Sequence, residues 1–204
     1  MHIYSQEKFD GLEKAISQSK SFAFQSVIKE SDNTDEAKLL AKASKTLDSA
    51  LATNEGQVDL HYVNTILVST GWNKNDDVFS SEQVWDARTS PEDKPFNLEH
   101  NPADIIGHIT ASKAINPDGK VISASDEMPD KFHILTSGVI YKHIASRDPE
   151  LSNRISTIIE EIGRGEWFVS MEALFKDFDY AVQTPDGESR VVARDEDRAY
   201  LPKH

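Results

Sequence analysis

Cysteine is absent from all 204 residues. That excludes disulfides, thiolate zinc sites and cysteine nucleophiles, although it names no compartment. Long apolar runs are absent too. No stretch approaches the roughly 20 residues that span a bilayer, and the opening MHIYSQEKFDG lacks an apolar core of signal-peptide length. As written, the sequence reads as a soluble, unsecreted protein with no membrane partner. Positive charge is scarce: 22 Lys and Arg stand against 35 Asp and Glu, a net of −13, and no basic cluster occurs. Affinity for phosphate backbones comes largely from Lys and Arg, so a direct nucleic-acid ligand is not expected. The seven histidines, at positions 2, 61, 100, 108, 133, 143 and 204, form no HExxH or comparable ligand spacing. Neither a metal nor another cofactor is expected.

What is present is the composition of a folded chain, 38% hydrophobic and 28% charged with the apolar residues in periodic runs. The length fits one domain, or one domain plus an arm. Residues 1–55 are rich in Ser, Lys, Ala, Asp and Glu and read as a helical N-terminal arm, with residues 56–204 as the body. In the arm, Phe9, Leu12 and Ile16 recur at helical spacing, as do Leu40, Ala43, Leu47 and Leu51 after the Asn33-Thr34-Asp35 capping cluster. A strand-like run, SFAFQSVI, lies between them at 21–28. The arm is either packed on the body or a detachable segment for assembly or autocleavage.

From Val58 the texture becomes β-branched and aromatic. VDLHYVNTILVST (58–70) reads as a strand, GWNKNDD (71–77) as a turn, SSEQVWDAR (80–88) as a short helix capped by Ser80 or Ser81, and TSPEDKP (89–95) as a loop. Strands follow at 104–115 and 131–144. The clearest helix comes next: Asp148 caps it, Pro149 takes the first position, Leu151, Ile155, Ile158, Ile159 and Ile162 form one stripe, and Gly163 ends it. A strand at 167–175 and two strands within 178–194, joined through Pro-Asp-Gly, complete the chain. The pattern predicts an α+β fold, with a mainly antiparallel sheet or barrel and one long helix just before the last strands.

Two places carry candidate chemistry. His100 ends a loop beside Asn101-Pro102 and immediately precedes a strand. It reads as an ordinary polar loop residue or as a general base, since imidazole titrates near neutrality and a rigid neighbour can fix the ring. His108 is a weaker candidate, because its alternation with Ile106 and Ile109 also suits a strand residue facing solvent. The second place is GRGEWFVSMEA (163–173), where Phe168, Ser170, Glu172 and Leu174 share one strand face and Val169, Met171, Ala173 and Phe175 the other. Ser170 is either a buried hydroxyl bonded to backbone or a nucleophile needing a base and nearby N–H donors.

Together these stretches resemble the capsid-maturation (prohead) serine proteases of tailed phages, whose relatives include the herpesvirus assembly proteases. The resemblance rests on Thr70 to Phe79 with its Trp72-Asn73-Lys74-Asn75 turn, the short helix from Glu82 to Ala87, Asn97-Leu98-Glu99-His100-Asn101-Pro102 ahead of Ile105-Ile106-Gly107, and Ile158 to Gly165 leading into Trp167-Phe168-Val169-Ser170-Met171-Glu172. It covers roughly residues 58–195. It implies a β-barrel-like, herpesvirus-protease-like body and a serine endopeptidase in which Ser170 is the nucleophile and His100 the general base. The implied partners are scaffold and capsid precursor proteins inside the immature capsid in the host cytoplasm, with self-association and autocleavage. The family's third member is an acid on a later strand, followed by a Pro-containing segment. Here the chain stops at YLPKH, which reads as a C-terminal truncation, and Glu172, Asp195, Glu196 and Asp197 are the candidates within it. The alternative function is a non-enzymatic phage assembly or scaffold-associated protein that shares the fold.

Overall fold

The computed structural model describes residues 1–14, 22–27, 59–72, 77–98, 101–142, 148–173 and 177–199. The chain divides into two units, Gln25–Ser170 and Met1–Phe24 together with Met171–His204. The fold is α+β with mostly antiparallel sheets and few helices. Among the described residues no sheet closes into a barrel, and no helix is long and apolar enough to cross a membrane.

In Gln25–Ser170 the main sheet has four strands. Their spatial order is β2 (Leu60–Ser69), β7 (His133–Tyr141), β6 (Ile105–Ile115) and β5 (Pro95–Asn97), antiparallel throughout. β7 lies inside the sheet and is buried from Ile134 to Ile140. Ile134 and Ile140 on one face and Leu135 and Val139 on the other make both faces apolar, as a strand covered on both faces requires. The Thr65 and Thr136 hydroxyls, both buried, satisfy each other across strands at 3.1 Å. Register breaks between Ile66 and Val68 and between Ile109 and Ala111 mark bulges, which bend and twist the sheet.

The sheet is flanked by two helices that the sequence marks clearly. In α2 (Ser81–Ala87), Ser80 is the cap and its hydroxyl accepts from the Gln83 N–H at 3.3 Å. α2 supplies Val84 to a cluster with Ala114, Phe132 and Ile134. α3 (Pro149–Gly163) starts as expected: the Asp148 carboxylate accepts from the N–H groups of Glu150 at 3.0 Å and Leu151 at 3.2 Å. It lays Ile155, Ile158 and Ile162 against Val63, Leu98, Ile106 and Ile140. Each such side chain contributes roughly 1.5–3 kcal/mol on full burial. The helix runs through Gly163, with Arg164 as cap. The left-handed residue that closes it is Gly165, at φ +70°.

Two more sequence expectations change. The flanks of the predicted 71–77 turn are short strands, β3 (Gly71–Trp72) paired with β4 (Val78–Phe79). Pro95, expected in a loop, opens β5. Proline is tolerated there because it is the first residue of an edge strand, and the Phe96 ring lies over Gly138 of β7.

In the unit formed by Met1–Phe24 and Met171–His204, α1 (Ser5–Phe9) gives way to a turn at Asp10–Gly11 before residues 12–14 resume a helical course. The expected Phe9–Leu12–Ile16 stripe is therefore broken. Gly11 sits at φ +95°, Leu12 is buried and Phe9 is 85% exposed. Ile16, like the 40–51 stripe, lies outside the described residues. β9 (Tyr180–Gln183) and β10 (Ser189–Val192) form the expected hairpin, closed by Gly187 at φ +86°. Glu7 and Arg194 lie buried at the centre of the unit. The remaining pair, β1 (Phe22–Val27) with β8 (Phe168–Ala173), contains both points at which the chain passes from one unit to the other.

Candidate active site

His100 and Glu99 lie outside the described residues, but the chain on either side is closely specified. β5 ends at Asn97, and Leu98 follows, 3% exposed in the cluster under α3. The Leu98 N–H donates to the Asp104 carbonyl at 3.0 Å, the Asn101 N–H to the Leu98 carbonyl at 2.8 Å, and the Asp104 N–H to the Asn101 carbonyl at 3.0 Å. The Asn101 side chain bridges this loop twice: its Nδ2 donates to Asp104 Oδ2 at 2.9 Å, and its Oδ1 accepts from the Ala103 N–H at 3.1 Å. Arg154 of α3 adds an exposed ion pair to Asp104 at 3.8 Å. Short backbone bonds and a buried leucine thus anchor the residues on either side of His100.

Ser170 lies on β8, five residues past Gly165 in the sequence, and is partly exposed. Val169, with the opposite facing, is buried at 9%, so the alternation expected from the sequence is seen at this point. Trp167 prepares the strand: it packs against the α3 cluster, and its indole N–H donates to Glu161 Oε2 at 2.6 Å. Between them, Arg164 and Glu166 form an exposed bidentate pair at 2.8 and 3.0 Å. That pairing lowers the Glu166 carboxyl below its ordinary range.

One cluster therefore joins the approaches to both candidates. Leu98 belongs to it and Trp167 packs on it, although the two are distant in sequence. Of the third-member candidates, Glu172 is on β8, and its side chain lies outside the described residues. Asp195 is already engaged. Its Oδ1 accepts from the N–H groups of Asp197 at 3.1 Å and Arg198 at 3.0 Å, and its Oδ2 from the Arg198 side chain. The Arg198 hydrogen bond holds its carboxyl below the usual range. Glu196 and Asp197 are exposed. His108 does not simply face solvent: it is partly buried, and its Nδ1 lies 2.6 Å from the Tyr141 hydroxyl.

Sequence reasoning missed the network around Glu7 and Arg194. Glu7 Oε1 accepts from Arg194 Nε at 2.7 Å and the Tyr180 hydroxyl at 2.8 Å, and Oε2 from an Arg194 terminal nitrogen at 2.7 Å and the Tyr4 N–H at 3.1 Å. The Arg194 hydrogen bond is the main cause of a Glu7 carboxyl lowered to about 2. A Glu in a polar arm and an Arg beyond a hairpin carry no periodic signal. Only the Asp/Glu–Arg chemistry itself, once the termini meet, identifies them. Among the described residues no three His, Asp or Glu side chains gather as a metal site would need. No protein-family model matches the chain, and no curated protein or solved structure gives a match.

Proposed function

We propose that the chain is a serine endopeptidase of the prohead-protease type, with Ser170 as nucleophile and His100 as general base, on a herpesvirus-protease-like body. The shared cluster of Leu98 and Trp167 carries the reading: it fixes both approaches on one rigid base, which a dyad far apart in sequence needs. The order of elements adds support. A strand, a short capped helix and then β6 after the segment carrying His100 come before the long helix that leads into the Ser170 strand, the order of the family the sequence resembles.

In this reading His100 accepts the Ser170 proton as the hydroxyl attacks the scissile carbonyl, and returns it to the leaving amine. Water then repeats the sequence on the acyl-enzyme. Asp195 is the least suited third member, because orienting an imidazole would require it to give up Arg198. Glu172 is a further candidate, on the nucleophile's own strand. The substrates are scaffold and capsid precursor proteins within the immature capsid, and the chain itself is among the targets.

Co-expression of the chain with a phage scaffold and capsid precursor tests this. The wild type should cut the precursors, and Ser170→Ala should leave them intact while keeping its circular dichroism spectrum. Equal cleavage by the two proteins would remove the assignment.

A further inference from the structure

Arg194 has five N–H donors, and all five are used. Nε and one hydrogen of a terminal nitrogen hold Glu7, and the other hydrogen of that nitrogen donates to the His2 carbonyl at 2.8 Å. The second terminal nitrogen donates to Asp177 and to the Phe178 carbonyl, the latter at 3.1 Å. The guanidinium stacks 4.1 Å over the Phe178 ring. Glu7 likewise receives four hydrogen bonds, which fill the acceptor sites of a carboxylate. The Tyr4 hydroxyl closes the ring from the other side, donating to the Arg194 carbonyl at 3.1 Å. Both charges are buried, with side-chain exposures of 3% and 0%.

The partners come from two stretches almost the full chain length apart. His2, Tyr4 and Glu7 come from the N-terminus; Asp177, Phe178 and Tyr180 come from the segment around Arg194. Without the first group, three of the five guanidinium donors lose their acceptors, and the Tyr180 hydroxyl loses its bond to Glu7. A buried network left half satisfied is much less stable than a complete one.

We infer that residues 1–14 are the built-in peptide ligand of a socket around Arg194, recognised by a Tyr-x-x-Glu pattern at Tyr4 and Glu7 and retained when the covalent link is cut. The socket reads three features of the segment: the Glu7 carboxylate by a two-pronged guanidinium contact, the Tyr4 hydroxyl, and the His2 carbonyl. Such a planar, two-pronged contact matches the geometry of a carboxylate. Processing between residues 14 and 22 therefore leaves the N-terminal peptide in place as a clip. This holds whether or not Ser170 is a nucleophile.

The test uses the full chain with a foreign protease recognition sequence inserted between residues 15 and 21, cut after folding and passed over a gel-filtration column at neutral pH. The wild-type fragment should co-elute with the body in equal amounts. Glu7→Gln should weaken retention by at least about a hundredfold, the loss expected when a buried pair is broken. Tyr180→Phe, which keeps the ion pair and is the decisive variant where Glu7→Gln does not fold, should weaken it about tenfold or more. Release of the wild-type fragment would overturn the inference, as would retention indifferent to Glu7→Gln or, where that variant does not fold, to Tyr180→Phe.

Discussion

Gly138→Ala offers a sharp test of how the central sheet holds the strand that leads to His100. A Cβ at Gly138 would stand 2.3 Å from Phe96 Cε2, 3.1 Å from Phe96 Cζ and 2.8 Å from the His108 carbonyl oxygen. Comfortable carbon contacts begin near ~3.5 Å, so the ring must retreat by roughly an ångström. The carbonyl belongs to the backbone of β6 and yields less readily. Overpacking of this kind costs about 1–3 kcal/mol, and the rigid carbonyl places the expected loss near the top, about 2–3 kcal/mol. Phe96→Leu alone should cost about 1–2 kcal/mol through the space it opens. The double variant should be more stable than the two losses predict, by about 1 kcal/mol, because the ring no longer obstructs the new methyl. Urea unfolding followed by tryptophan fluorescence is the assay. Trp72, Trp85 and Trp167 are the only tryptophans, and all belong to Gln25–Ser170, so the signal reports that unit. An alanine variant within about 0.5 kcal/mol of wild type, or strict additivity in the double variant, would refute the reasoning.

Further predictions concern acid stability, capping and the pH profile. The Glu7 carboxyl is lowered from 4.5 to about 2 by its Arg194 hydrogen bond, so its contribution is full above pH 4.5 and is lost as pH falls toward 2. The stability gap between wild type and Glu7→Gln, on the order of 3 kcal/mol near neutrality, should therefore close across that window in urea titrations followed by circular dichroism, and a gap unchanged at pH 2.5 would contradict it. Asp148→Ala removes the acceptor for two N–H groups at the start of α3 and should cost about 1 kcal/mol in the same urea assay, with Asp148→Asn recovering most of it. Peptidase activity should rise with pH through the titration of His100, since only neutral imidazole accepts the serine proton, and a rate flat from about pH 5 to 8 would count against that role.

Local chemistry made elements of both units readable. Asp148-Pro149 and the isoleucine stripe specify α3 with little help from the rest of the chain, and Ser80 does the same for α2. The Ile134-Leu135 and Val139-Ile140 pairs of β7 announce a strand apolar on both faces, and Pro-Asp-Gly announces the β9–β10 hairpin. What failed depends on long-range packing. β5 is only three residues long and is a strand because β6 pairs with it and Phe96 reaches over Gly138 of β7. The Phe9–Leu12 stripe looked helical, yet Gly11 breaks it, and Glu7 is buried along with Leu12 while Phe9 is exposed. Periodicity treats a charged residue as a surface residue, so an ion pair at the centre of a unit is invisible to it. Of the candidate site, Ser170 was legible as a polar interruption on a strand, and it lies on β8, whereas His100 lies outside the described residues. The common cluster beneath their approaches was not legible, because nothing in the sequence relates Leu98 to Trp167.

The central claim is that Ser170 is a nucleophile activated by His100. Treating the folded chain with a fluorophosphonate and measuring its intact mass, followed by peptide mapping, tests it most directly. The account predicts a single adduct on Ser170, absent from Ser170→Ala and strongly slowed in His100→Ala. An unmodified wild-type chain, or an adduct that persists in Ser170→Ala, would contradict it and favour the non-enzymatic assembly protein.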